Sequence, residues 1–124
     1  MKLIYEVNNS TSIEVECATV QEAIKNLTAL RDSVGYENCG QCGNDTFLRH
    51  RTNADGDDFY EHVCSNLQCR AVLQLGTNKE GQTLYKKRMK TDKKGKAIKD
   101  GDKAVYLDKS GWGRYNPETK EVEY

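Results

Sequence analysis

Four of the chain's five cysteines fall into two close pairs, Cys39-x2-Cys42 and Cys64-x4-Cys69, with 21 residues between them. Thiolates at this spacing are metal ligands, because each tight loop aims two sulfurs at one point and two loops complete a tetrahedron. Glycines inside and just after the first pair, in Cys39-Gly40-Gln41-Cys42-Gly43, suit a knuckle whose backbone amides turn toward the sulfurs. The second pair encloses Ser65-Asn66-Leu67-Gln68, a wider loop that stays within zinc-ligand spacing. The cofactor this predicts is one structural zinc ion on Cys39, Cys42, Cys64 and Cys69. Four thiolates leave no open coordination position, so such an ion stabilises the fold and does no chemistry. Cys17 shares a strand face with Ile13 and Val15 and reads as a small buried residue. His62, two residues before Cys64, and His50 on the partner strand read as solvent-facing or satisfied strand histidines rather than as ligands.

The second group with chemical promise is cationic and aromatic. Residues 81–90 read Gly-Gln-Thr-Leu-Tyr-Lys-Lys-Arg-Met-Lys, and Trp112 and Tyr115 flank Arg114. Cations neutralise phosphates and release counterions, and exposed aromatic faces stack on unpaired bases. The candidate nucleic-acid contacts are therefore Arg70, Lys79, Tyr85, Lys86, Lys87, Arg88, Lys90, Trp112, Arg114 and Tyr115. A third group, Asp55, Asp57, Asp58, Glu61 and His62, has the types a metal-dependent nuclease uses, but it sits in and beside a turn, where Asp and Gly are expected for conformational reasons. The chain has no Walker loop, no His-Glu-x-x-His and no Gly-x-Ser-x-Gly, and the reading is non-enzymatic.

These residues have to be held by small elements. Leu3, Tyr5 and Val7, then Ile13, Val15 and Cys17, alternate with polar residues across the turn-rich Asn8–Ser12, which is the pattern of a half-buried hairpin. Thr19 followed by Glu22 is a capping box, and Ala23, Ile24, Leu27, Leu30 and Val34 recur at helical spacing up to a left-handed stop at Gly35. The cysteine-bounded unit offers strands over 46–51 and 58–64, joined by a turn containing Asp55-Gly56, and a third strand over 71–75. Short β-prone runs follow at 83–89, 104–107, 111–115 and 121–124, with 90–102 the least ordered stretch. The predicted fold class is α+β: a ββα unit over 1–35, a zinc ribbon over 36–78, and a basic β-hairpin arm over 79–124 packed on the ribbon.

Charged residues make up 31% of the 124, so the core is thin and needs a staple. The zero net charge hides an asymmetry: residues 1–62 hold 5 Lys/Arg against 11 Asp/Glu, and residues 79–103 hold 10 against 4. Such a split can orient a molecule on a polyanion. It also leaves an acidic front, with Glu14, Glu16, Glu22 and Asp32, that suits a protein partner. No signal peptide or apolar span is visible, which predicts a cytoplasmic protein with reduced thiols.

The two knuckles, the element Gly81–Arg88 and the Gly-Trp-x-x-Tyr element at Gly111–Tyr115 together resemble a group of small zinc-ribbon proteins of phages and prophages. That resemblance implies a ββα front end, a bacterial host cell, and a role around single-stranded DNA in annealing, recombination or replication. Where similar proteins often carry a proline, this chain has Lys86, and it ends Glu121-Val122-Glu123-Tyr124 rather than in an acidic tail with Pro-Phe.

Overall fold

A computed structural model describes residues 1–8, 10–77 and 84–124. The fold is α+β, with one α-helix and antiparallel hairpin sheets. Strands β1 (Lys2–Asn8) and β2 (Thr11–Glu16) pair so that Leu3 faces Val15 and Tyr5 faces Ile13. Helix α1 (Val20–Val34) starts at Thr19, whose hydroxyl accepts the Glu22 N–H at 3.1 Å. The Glu22 carboxylate reaches back to the Ala18 N–H at 2.8 Å, one residue before the cap itself, so the reciprocal half of the box falls just outside the helix.

The helix departs from its sequence pattern in two ways. Ala23, Leu30 and Val34 are half-buried and Ser33 is buried, but Ile24 and Leu27 lie outside. The helix leans on a two-stranded hairpin and one short strand, and Asn26, on that inner side, donates to the Cys17 sulfur at 3.4 Å. Gly35 does not take the expected left-handed conformation: its φ of −55° and ψ of 131° are extended. The position needs glycine because a Cβ there would run into the Arg31 carbonyl.

The ribbon is one four-stranded sheet, β3 (Thr46–Thr52), β4 (Asp58–Cys64), β5 (Val72–Thr77) and β6 (Leu84–Lys86), antiparallel throughout and in that order. Between β3 and β4 the Asn53 side-chain oxygen accepts the N–H groups of Asp55 and Asp57, and Gly56 turns the chain at φ +85°. Register sorts this sheet into two faces. Leu48, His62 and Leu73 lie across one, with His50, Tyr60 and Leu75. Phe47 with Val63, Arg49 with Glu61 and Arg51 with Phe59 lie across the other.

Beyond β6 come β7 (Lys99–Asp100), β8 (Lys103–Ala104), a short 3₁₀ turn over Asp108–Gly111, and the hairpin β9 (Arg114–Asn116) with β10 (Glu121–Glu123). Residues 90–102, predicted as the least ordered, form a small meander tied by the Thr91–Ala97 bridge, the β7–β8 pair and Lys90 N–H to Val105 O at 2.8 Å. The tail closes on the ribbon where Val72 and Gly113 exchange two backbone hydrogen bonds. The buried cluster is Cys39, Cys64, Cys69, Ala71, Leu73 and Trp112, so half of its members are cysteines. No helix among the described residues is long and apolar enough to cross a membrane.

Candidate metal centre and the groove beside it

The sulfurs of Cys39, Cys42, Cys64 and Cys69 lie within 4.8 Å of one another, and none of the four is in a disulfide. Cys39 and Cys69 sulfurs are 3.8 Å apart and Cys42 and Cys64 sulfurs 3.4 Å apart. Four sulfurs about 2.3 Å from one centre, tetrahedrally arranged, stand about 3.8 Å apart, so the cluster has the size of a metal site. Each knuckle aims an amide at sulfur: Gln41 N–H at Cys39 and Asn66 N–H at Cys64, both at 3.4 Å. Gly43 closes the first knuckle at φ +78°, with its N–H on the Cys39 carbonyl at 2.8 Å. Arg70 leaves the second one in the left-handed region at φ +56°.

Burial pushes the Cys64 thiol up to about 12. At Cys69 burial pushes the same way, but the Ala71 N–H and the Arg114 guanidinium outweigh it and the thiol falls to about 7. Arg114 donates to the Cys69 carbonyl at 2.7 Å and reaches its sulfur at 3.5 Å, so a positive charge is already set against the thiolates.

His62 and His50 have other partners, as expected. His62 is buried on the helix side, with Nε2 2.7 Å from the Ser33 carbonyl, and burial lowers its pKa. His50 pairs with Asp58 at 2.9 Å and stacks on Tyr60. Asp58 also takes the Thr52 hydroxyl, Glu61 takes two arginines, and Glu61 and His62 face opposite sides of the sheet, so the acidic group does not converge on one point.

The predicted nucleic-acid contacts divide. Trp112 is a correction: it is 0% exposed, seated in the cysteine cluster with its indole N–H on Glu37 at 3.3 Å, and has no face to offer a base. Lys86 and Arg88 are also turned inward. Lys86, 11% exposed, binds Glu37 at 2.7 Å and the Gly35 carbonyl at 2.8 Å, and Arg88 binds Glu37 and the Ser110 carbonyl. Burial pushes the Glu37 carboxyl up, but hydrogen bonds from Lys86, Arg88 and Trp112 more than offset it and hold it below the usual range. Tyr85 covers Gly76, where a Cβ would sit 2.7 Å from its ring. Lys90 is exposed on the meander, and Lys79 lies outside the described residues.

Arg70, Lys87, Arg114 and Tyr115 come together on a groove of about 990 Å³ over the second face of the ribbon sheet. Its floor supplies Phe47, Arg49, Arg51 and Phe59, which the sequence reading missed, and Glu61, which it had placed in the acidic group. Glu61 is buried and pins both arginines, accepting Arg49 Nη2 and Arg51 Nε at 2.7 Å, while each arginine stays partly open to solvent. Arg51 also lies 4.4 Å above the Phe59 ring. One wall is the Cys64–Cys69 loop with Leu67, and the other is the β9–β10 hairpin with Tyr115 and Tyr124. Among the described residues, five cations and one carboxylate line the groove, beside four aromatic rings. The signal was present as alternation: 47, 49 and 51 on one strand and 59, 61 and 63 on the next share a face by the two-residue period.

The chain matches no family model, no curated protein and no solved structure.

Proposed function

We propose that the four thiolates hold one structural zinc ion, and that the protein is a non-enzymatic zinc ribbon whose groove binds single-stranded nucleic acid. Zinc fits because a soft, all-sulfur, tetrahedral donor set selects zinc or an iron–sulfur cluster, and the amides and Arg114 already stabilise the thiolate charge of a closed site.

The observation that carries the nucleic-acid reading is the groove itself. Arg49 and Arg51 are held side by side by Glu61, so their planar forks are pre-organised for phosphate oxygens. Phe47 and Tyr115 are 47% and 62% exposed and offer ring faces on which unpaired bases stack, worth about 1–3 kcal/mol per base. Base pairs keep their faces covered, which favours single strands. DNA as the ligand, and a place in phage replication or recombination, follow the resemblance of the sequence elements. The test is fluorescence anisotropy of metal-loaded protein with a labelled oligonucleotide across a salt series. Arg49→Ala with Arg51→Ala should weaken binding and flatten the log–log salt slope by about 1.4, two phosphates at about 0.7 each. An unchanged slope and affinity would remove the groove from the account.

A second reading, a protein-interaction module, is favoured by one observation: Val20, Ile24 and Leu27 form an exposed apolar stripe on α1 beside the acidic Glu22. It predicts that Ile24→Asp abolishes capture of a protein partner and leaves oligonucleotide binding intact.

A further inference from the structure

Cations on this chain are segregated by type. Among the described residues, four of the five around the groove are arginines, set among aromatic rings. The meander over 89–106 carries Lys90, Lys93, Lys94, Lys96, Lys99 and Lys103 and no arginine. All six lysines are exposed, and among the described residues none of their ammonium groups is in an ion pair. Of the three aspartates in this stretch, Asp92 is committed to its own turn, accepting the N–H groups of Lys94 and Lys96 at 2.8 and 3.0 Å. The turns at Lys94-Gly95 and Gly101-Asp102 fix the backbone, with both glycines left-handed, and the lysines are carried outward on it.

The meander is rooted at the rim of the groove. Leu107 N–H binds the Arg88 carbonyl at 2.7 Å and Met89 bridges Tyr106, and the flanking Lys87 and Gly111 both line the groove. The lysine surface thus begins at Lys90, three residues beyond Lys87 at the rim.

The two surfaces suit different forms of one ligand. Guanidinium forks and open ring faces match an unstacked strand. Ammonium groups on long flexible stems are point charges that need no planar alignment, and they match the dense, regular phosphates of a duplex, about one charge per 1.7 Å of axis. We propose that the preferred ligand is a single-strand–duplex junction, with the strand in the groove and the adjoining duplex against the meander. This rests on the single-strand reading of the groove and adds to it the form of the substrate.

The experiment compares three labelled DNAs by anisotropy at fixed salt: a bare strand, a blunt duplex, and the same strand continued from the same duplex. Joining two contacts makes the second intramolecular, so the joined DNA should bind about tenfold or more tighter than the bare strand and show a steeper salt slope. Lys93→Gln with Lys94→Gln, Lys96→Gln and Lys99→Gln changes exposed side chains only. It should erase the preference while leaving bare-strand affinity within about twofold, with unchanged metal content and circular dichroism as controls. A joined DNA bound no tighter than the bare strand, or a preference that survives the lysine changes, overturns the junction and leaves the groove reading standing. A bare strand left unbound overturns the groove reading, and this inference with it.

Discussion

Trp112→Ala separates a structural tryptophan from a ligand-stacking one. Trp112 is wholly buried, packed in the cluster with Cys39, Cys64, Cys69 and Leu73, and it lies close against Gly40 of the first knuckle. Removing a buried aromatic costs the lost transfer energy plus a cavity, about 3–5 kcal/mol for such a truncation. The lost hydrogen bond to Glu37 adds about 1 kcal/mol at most, since Lys86 and Arg88 still hold that carboxylate. Against a typical total of about 5–15 kcal/mol, the change removes a large share of the stability. With a urea dependence of about 2 kcal/mol per molar, the unfolding midpoint of the metal-loaded protein should fall by about 2 M, followed by far-ultraviolet circular dichroism. Oligonucleotide affinity of the fraction still folded should change little. A midpoint unmoved while affinity drops would refute the reasoning and return Trp112 to the surface.

Gly40→Ala should lower stability by about 1–3 kcal/mol and speed metal loss to a chelator, because its Cβ would sit 2.6 Å from both the Trp112 ring and the Lys109 carbonyl. Cys64→Ser should abolish stoichiometric metal, read by elemental analysis, and blunt the cooperative unfolding transition. Metal retention should weaken as pH falls from 7.5 toward 5, because protons compete for the thiolates; a chelator titration at several pH values reads this. Glu37→Gln should destabilise by about 1–3 kcal/mol at pH 7. The Glu37 carboxyl is held below its ordinary 4.5, so its contribution is present above that pH and is lost as pH falls through the lower folded value. The gap between variant and parent in denaturant midpoint should therefore narrow on acidification.

The cysteine cluster was legible because knuckle geometry is local: with two or four residues between them, the sulfurs of a pair converge whatever the rest of the chain does. The N-terminal hairpin and the strands of the ribbon were legible from alternation and turn residues for the same reason. The groove was not, because a tally along the chain puts Arg49 and Arg51 in an acidic half, and only the pairing of β3 with β4 sets them over Glu61 and beside Phe59. Arg70 and Arg114, 44 residues apart, reach that groove through the Val72–Gly113 bridge, a contact with no local signature. The basic run 86–88 misled for a related reason. A single half-buried carboxylate, Glu37, lies far away in sequence and draws Lys86 and Arg88 inward, leaving only Lys87 at the groove. Ile24 and Leu27 fit the helical period, yet they lie on the part of the helix that no other element among the described residues covers.

The most direct test of a metal-stapled ribbon that holds a single strand in its groove is a nuclear magnetic resonance titration of the zinc-loaded protein with a short single-stranded DNA. The account predicts that signals of Arg49, Arg51, Arg70, Arg114 and Tyr115 shift together and saturate, while Lys86 and Trp112 stay in place. Shifts confined to helix α1, or none at low salt, would contradict it.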